Sequence, residues 1–147
     1  MIWDCESAPL AVLQHSLRVE NRRREKKWYL DLVCCFDIES TRIVEIEQAV
    51  MYIWQMQIGP DVTVTGRTWE EYFRLLDRIR EQLPDDTWLA VYVHNLSYEF
   101  SFLKGVYPFE PDEVFATDFR KILKCTMYGC IEYRCSYHLT NMSLDAF

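Results

Sequence analysis

Two acidic residues, one position apart, end an apolar run in the first third of the chain. The run "LDLVCCF" continues into "DIE", so Asp37 and Glu39 follow residues typical of a buried strand. Side chains alternate along a strand, so both carboxylates are expected on one face, where they repel each other. Carboxylate oxygens that converge in this way are ligands for Mg²⁺ or Mn²⁺, but two acids at a strand end are equally typical of a solvated edge.

A second polar group follows a later apolar run. In "VYVHNLSYEF", His94 and Asn95 come at the end of a predicted strand, and Glu99 lies in the first turn of a predicted helix. Ligands of open α/β sheets collect at the carboxyl ends of strands, which predicts one shared pocket for Asp37, Glu39 and Glu99. The alternatives are local, because a first-turn acid favours the helix dipole and His or Asn can cap or turn the chain.

Hydrophobic periodicity predicts the elements that position these side chains. Strands are predicted for "WYLDLVCCFDIE", "AVMYIWQMQIG", "DVTVTG" and "TWLAVYVHN", with a capped amphipathic helix over 68–83 before the fourth. A short helix, "LSYEFSFLKG", and the strands "VFATDF", "KILKCTMYG" and "IEYRCSYHLT" follow, and "NMSLDAF" is typical of a helix start. Three strands, a helix, a strand, a helix and further strands predict an α/β sheet.

Composition and charge limit the class of protein. The 147 residues are 50% hydrophobic, which suits one folded domain. No run reaches transmembrane length and the first residues do not resemble a signal peptide, so we expect a cytoplasmic protein with reduced cysteines and no membrane partner. The net charge is −7, yet "RVENRRREKK" at 18–27 carries +4, which leaves −11 elsewhere. We expect 1–27 to form a basic, partly helical N-terminal arm and 28–147 to form the domain.

The two acidic motifs resemble those of a known family. "FDIES" and "HNLSYEFSFL" look like the first two motifs of the DEDD 3′–5′ exonucleases, and most of all like the proofreading domain of protein-primed family B DNA polymerases of phages. The resemblance extends over about 29–147, because "IEYRCSYHLTNMSL" is similar to the strand and helix start that follow the second motif. It implies a ribonuclease-H-like mixed sheet with flanking helices, acting in the host cytoplasm.

The resemblance also implies two-metal hydrolysis of a phosphodiester bond at a single-stranded DNA 3′ end. Asp37 would bridge two Mg²⁺ or Mn²⁺ ions, Glu39 would hold one and help to place the attacking water, and Glu99 would hold a metal directly or through water. Six further positions would contact the DNA: Ser40, His94, Asn95, Tyr98, Phe102 and Ser136. Tyr98 could stack on a base, whereas Phe102 is equally consistent with a core position.

Two departures from the family predict impaired activity. The family usually has Asp at the position of Glu99, and a longer side chain displaces the carboxylate at a site sensitive to such shifts. Its third motif, Tyr-x-x-x-Asp on a later helix, does not occur before Phe147, and Asp145 lies too early to replace it. We therefore expect a domain that is incomplete at its C-terminus, separated from the polymerase segment, and impaired or inactive alone.

A non-catalytic role is the alternative. A sheet face left uncovered by an absent helix would be an association site for the polymerase segment, a host protein or a second copy of the chain. The protein would then be a phage-derived inhibitor of a host nuclease or defence complex, with an acidic body that mimics nucleic-acid charge. Metal-dependent digestion of DNA favours the nuclease, whereas a stable metal-free complex with a protein favours the inhibitor.

Overall fold

Ten strands and two α-helices form the described part of the chain. The computed structural model describes residues 1–22, 25–118 and 121–137. The strands are β1 (Ile2–Trp3), β2 (Leu17–Arg22), β3 (Glu25–Leu30), β4 (Cys34–Ile43), β5 (Gln48–Ile58), β6 (Val62–Gly66), β7 (Thr87–Val93), β8 (Val114–Asp118), β9 (Lys121–Met127) and β10 (Ile131–Cys135). The helices are α1 (Trp69–Gln82) and α2 (Leu96–Leu103). Neither helix is long and apolar enough to cross a membrane.

The sheet is mixed, and β7 lies in its interior. Its order is β1-β6-β5-β4-β7-β10-β9-β8, while β2 pairs with β3 and β3 with β7. Strands β4, β5 and β6 form an antiparallel meander, and β7 runs parallel to both β4 and β10. Helix α1 connects β6 to β7, as a parallel crossover requires. This arrangement confirms the predicted α/β class and the order of its central elements.

Local sequence signals explain α1. Thr68 and Glu71 form the predicted capping box, with the Glu71 amide donating to Thr68 Oγ1 at 3.2 Å. The helix buries Tyr72, Leu75, Leu76 and Ile79 against one face of the sheet. Full burial of each large apolar side chain contributes about 1.5–3 kcal/mol, so this stripe supplies much of the stability of the core.

Part of the predicted N-terminal arm, residues 17–22 and 25–27, belongs to a β-hairpin. β2 and β3 pair from Leu17↔Leu30 to Arg22↔Glu25, and β3 then pairs with the start of β7. Helical structure in this region is a 3₁₀ turn at Leu10–Leu13, whose two leucines are buried in the core. The many basic side chains are typical of a solvated tail. In the structure, contacts with residues of β7 and β10, which are distant in sequence, hold this segment on the sheet.

Some predictions fall outside the described residues. They are the helix start over 141–147, Asp145 within it, and the end of the last predicted strand at 138–140. The six cysteines are all described, and all are free thiols.

Candidate active site

A sharp turn from β7 into α2 brings the two acidic motifs together. Only His94 and Asn95 separate the strand from the helix, and Asn95 has left-handed dihedral angles, φ 62° and ψ 61°. Asn tolerates this region better than most residues do. The turn starts α2 directly at the end of β7, whose parallel neighbour β4 carries Asp37. The first turn of α2 can therefore reach the Asp37 region.

Glu99 is a buried carboxyl beside Asp37. Its side chain is only 2% exposed, and burial is the main cause that raises its pKa to about 8. The charge of Asp37 and a hydrogen bond between the two carboxyl groups raise the pKa further, while backbone N–H groups of Glu99 and Ile38 lower it. Among the described residues, Glu99 Oε2 has no hydrogen-bond partner. At neutral pH Glu99 therefore holds a proton that a cation would displace.

Asp37 is exposed on the β4 face opposite the α1-covered core. Gln55 lies opposite it on β5 and donates from Nε2 to Asp37 Oδ2 at 3.4 Å. This contact restricts one carboxylate oxygen while Glu99 approaches the same side chain. Sequence reasoning missed Gln55, because an amide at an outward position of an apolar strand shows no chemical signal until the strand register is known.

Glu39 does not complete a three-carboxylate cluster. It shares the exposed face of β4 with Asp37, as alternation predicts, and it pairs with Ile53. The ladder has a bulge directly after Glu39, and bulges bend a strand and increase its twist. Within 1–22, 25–118 and 121–137, no three His, Cys, Asp or Glu side chains are placed to hold one metal ion. The structure thus joins two of the three predicted acids.

Three predicted DNA-contact residues, Ser40 on β4 and Tyr98 and Phe102 on α2, contact one another beside the acid pair. The hydroxyl groups of Ser40 and Tyr98 are in contact, which ties β4 to the first turn of the helix. Tyr98 is 42% exposed, and its ring meets Phe102 edge-on at a centroid distance of 5.4 Å. Phe102 is half-buried and also packs against the core. Its core interpretation is therefore correct, and it leaves Tyr98 as the accessible ring.

His94 and Ser136 lie together at the neighbouring strand ends. His94 Nδ1 is 3.0 Å from Ser136 Oγ, so the pair bridges the residues that follow β7 and β10. The imidazole also meets the Tyr137 ring edge-on at 5.5 Å. The polar atoms of both predicted contact residues therefore cluster, as expected from the parallel pairing of the two strands.

A polar groove runs along α2 and includes Tyr98 in its lining. It has a volume of about 400 Å³, and its lining includes Asn95, Tyr98, Ser101 and Lys104. Lys104, which the sequence reasoning did not single out, supplies a positive charge there. A larger groove of about 860 Å³ lies at the start of β7, near Lys27 and Trp88, and contains none of the predicted site residues.

The donor set fits one hard cation better than two. Asp37 and Glu99 supply carboxylate oxygens, and the unpaired Glu99 Oε2 is a buried acceptor without a donor. Mg²⁺ commonly binds through one or two carboxylates and completes its octahedron with water. A second ion would need a further ligand, for which Glu39 is the nearest candidate in sequence.

Comparison with known proteins identifies no relative. No protein-family model, curated protein or solved structure matches the chain significantly.

Proposed function

We propose that this protein is a ribonuclease-H-like, metal-dependent nuclease domain that removes nucleotides from the 3′ end of single-stranded DNA. The observation that carries the proposal is the buried Glu99 carboxyl, beyond the end of β7, against Asp37 of β4. Burying an acid next to another acid is costly unless a cation offsets the charge. Perturbed carboxyl groups of this kind concentrate at functional sites.

The fold supports the same class of enzyme. An antiparallel meander, a crossover helix and a parallel strand bring Glu99, beyond the carboxyl end of β7, beside Asp37 of β4. Ligand sites of open α/β sheets form at such ends.

Four side chains on β4, β5 and α2 would take part in the proposed reaction. Asp37 and Glu99 would hold a divalent ion, which when bound makes hydroxide available near neutral pH and stabilises the leaving oxygen. Gln55 would orient the Asp37 carboxylate. Glu39, exposed on the same face, would help to position the attacking water.

The remaining polar residues would bind the DNA strand. Tyr98 offers an exposed ring for stacking on a base, and Lys104 offers a charge to the backbone phosphate. His94 and Ser136 would contact the strand from the ends of β7 and β10. Because no third carboxylate among the described residues completes a metal site with the acid pair, we expect slow hydrolysis by this chain alone.

Digestion of an end-labelled oligonucleotide with Mn²⁺ tests the proposal. The unmodified chain should shorten the DNA slowly from its 3′ end, and Asp37→Ala and Glu99→Ala should abolish the activity. Loss of a positioned catalytic group commonly costs about 10²- to 10⁴-fold in rate. Asp112→Ala, which removes an exposed acid from a 3₁₀ turn, is the matched control and should digest normally. Equal digestion by the unmodified chain and Asp37→Ala would refute the proposal.

A non-catalytic binding role is the second candidate. The tip of the β4–β5 hairpin exposes Val44 and Ile46, and Tyr52 is exposed on β5 beside Glu39 and Ser40. Exposed apolar groups of this size are typical of association surfaces. If the chain inhibits a host nuclease, it should lower nuclease activity in a host extract, and Ile46→Asp should lose this effect while Asp37→Ala keeps it.

A further inference from the structure

The β2–β3 hairpin has two unlike faces. Cross-strand pairing places Arg18 opposite Tyr29 and Glu20 opposite Lys27 on the face that packs on the sheet. The alternate positions lie on the other face, which we call the outer hairpin face. Its exposed members are Leu17, Val19, Asn21, Lys26 and Trp28, while Leu30, opposite Leu17 at the end of the same face, is buried in the core.

Contacts of the packed face hold the hairpin firmly. Tyr29 Oη donates to both carboxylate oxygens of Glu132, at 3.1 and 3.2 Å. Arg134 Nη2 donates to Glu20 at 2.9 Å, and the Lys27 ammonium lies 4.1 Å from the centre of the Trp88 ring. These contacts fix the hairpin in place, so binding of a ligand to the outer hairpin face does not require a flexible segment to become ordered.

The outer hairpin face combines an aromatic platform with positive charge. Trp28 is 47% exposed and stands directly opposite Val19, which is 41% exposed. Lys26, two residues before Trp28, lies on the same face and is exposed. Single-stranded nucleic-acid sites combine aromatic rings, which stack on bases, with positive charges, which contact phosphates. An exposed ring and an exposed ammonium group on one face provide both.

The distribution of charge favours a polyanion as the ligand of the outer hairpin face. Residues 18–27 carry six basic and two acidic side chains in a chain whose net charge is −7. The acidic remainder repels a nucleic acid from most of the surface and leaves the hairpin as the favourable region. On the packed face, Arg18 pairs with Glu20, so its charge is already offset by the protein.

We infer that the outer hairpin face is a binding surface for single-stranded nucleic acid, separate from the acid pair. The hairpin joins the start of β7 at Thr87 and Trp88, whereas the acid pair lies beyond Val93 at the other end of that strand. At about 3.3 Å per residue, this separates the two regions by roughly 17 Å along the strand. Binding at the hairpin requires neither hydrolysis nor a metal ion.

Fluorescence anisotropy of a labelled oligothymidylate, in EDTA to prevent hydrolysis, tests the inference. Trp28→Ala should weaken binding about 5- to 150-fold, the cost of one lost base stack, while Trp28→Tyr should keep most of the affinity. Phe115→Ala, which removes an exposed ring from β8, is the matched control and should bind normally.

Salt dependence provides a second readout that a change in folding would not imitate. Lys26→Gln should reduce the slope of log affinity against log salt by about 0.7, as expected for one lost phosphate contact with a single strand. Lys121→Gln at the opposite part of the sheet should leave the slope unchanged. The assay contains EDTA and requires neither metal binding nor hydrolysis, so failure of the nuclease proposal would not affect this result.

Two results would overturn the inference. One is equal affinity of Trp28→Ala and the unmodified chain for the oligonucleotide. The other is binding of the unmodified chain to anionic lipid vesicles without binding to the oligonucleotide, which would make the hairpin a membrane-surface element.

Discussion

The carboxyl group of Glu99, on α2, is buried beside the exposed carboxyl group of Asp37, on β4. Burial, with the neighbouring negative charge, raises the pKa of Glu99 to about 8. Near neutral pH the Glu99 carboxyl group therefore stays largely protonated. This relationship makes stability, proton binding and cation binding depend on each other.

Glu99 should make the protein less stable as pH rises. Its pKa is 4.5 when unperturbed and about 8 in the folded chain, so between these values the folded protein keeps a proton that the unfolded chain releases. The free energy of unfolding then falls with rising pH, by at most roughly 1.4 kcal/mol per pH unit. Glu99→Gln, which resembles the protonated acid, should lose this dependence and exceed the unmodified chain in stability near pH 8.

Urea unfolding midpoints measured below pH 4.5 and near pH 8 check this prediction. Glu45→Gln, at an exposed turn position, is the control and should follow the unmodified chain. Parallel pH profiles for Glu99→Gln and the unmodified chain would show that Glu99 does not titrate in this window.

Divalent cations should bind weakly and displace a proton. A cation favours the ionised form of Glu99, so binding should tighten as pH rises and should raise the unfolding temperature. Two carboxylates leave most of the coordination shell to water, so we expect an affinity for Mg²⁺ weaker than roughly micromolar. Calorimetry in buffers of different ionisation enthalpy measures both the affinity and the proton release.

Asp37→Asn is the informative variant for that measurement, since it keeps the shape of the site but removes the charge. It should bind Mg²⁺ much more weakly than the unmodified chain does. Submicromolar binding by the unmodified chain would instead indicate ligands beyond Asp37 and Glu99.

The buried Glu132 should depend on its partner for stability. Arg134 Nε donates to its carboxylate at 2.6 Å, and Tyr29 donates to both of its oxygens. Arg134→Met would leave a fully buried acid poorly compensated, which should cost about 3–5 kcal/mol. Arg74→Met breaks an exposed, solvent-screened ion pair with Glu6 and should cost far less. Equal urea midpoints for the two variants would contradict this prediction.

Gly66 should not accept a larger residue. A Cβ atom there would lie 2.5 Å from Trp54 Cζ2, and Trp54 is fully buried with Nε1 donating to the Thr68 carbonyl at 2.8 Å. Gly66→Ala should therefore destabilise the protein by about 1–3 kcal/mol through overpacking. At Gly105 the nearest atom to an added Cβ is the Phe102 carbonyl oxygen at 3.4 Å, so Gly105→Ala should be far milder. Matching thermal unfolding curves for the two variants would refute the steric argument.

Elements with local signals could be predicted from the sequence. The capping box at Thr68 and Glu71 and the apolar stripe define α1, because a helix repeats its contacts within a few residues. Alternation and turn residues define the β4–β6 meander in the same way. The sequence also predicted that Glu99 lies near Asp37, and the two carboxyl groups are neighbours in the structure. The predicted position of Asp37 at the end of its strand was wrong, because β4 continues to Ile43. The ribonuclease-H-like assignment and the exonuclease activity stay predictions.

Tertiary structure decided the features that depend on distant partners. Residues 17–22 and 25–30 form a packed hairpin because Glu132, Arg134 and Trp88 contact its packed face. No local sequence pattern predicts those contacts. Glu39 shares the exposed face of β4 with Asp37, but no three carboxylates among the described residues are placed to hold one metal ion, and this depends on the tertiary geometry. The pKa of Glu99 rises because packing removes its carboxyl from water, and burial is a property of the assembled fold rather than of the residue.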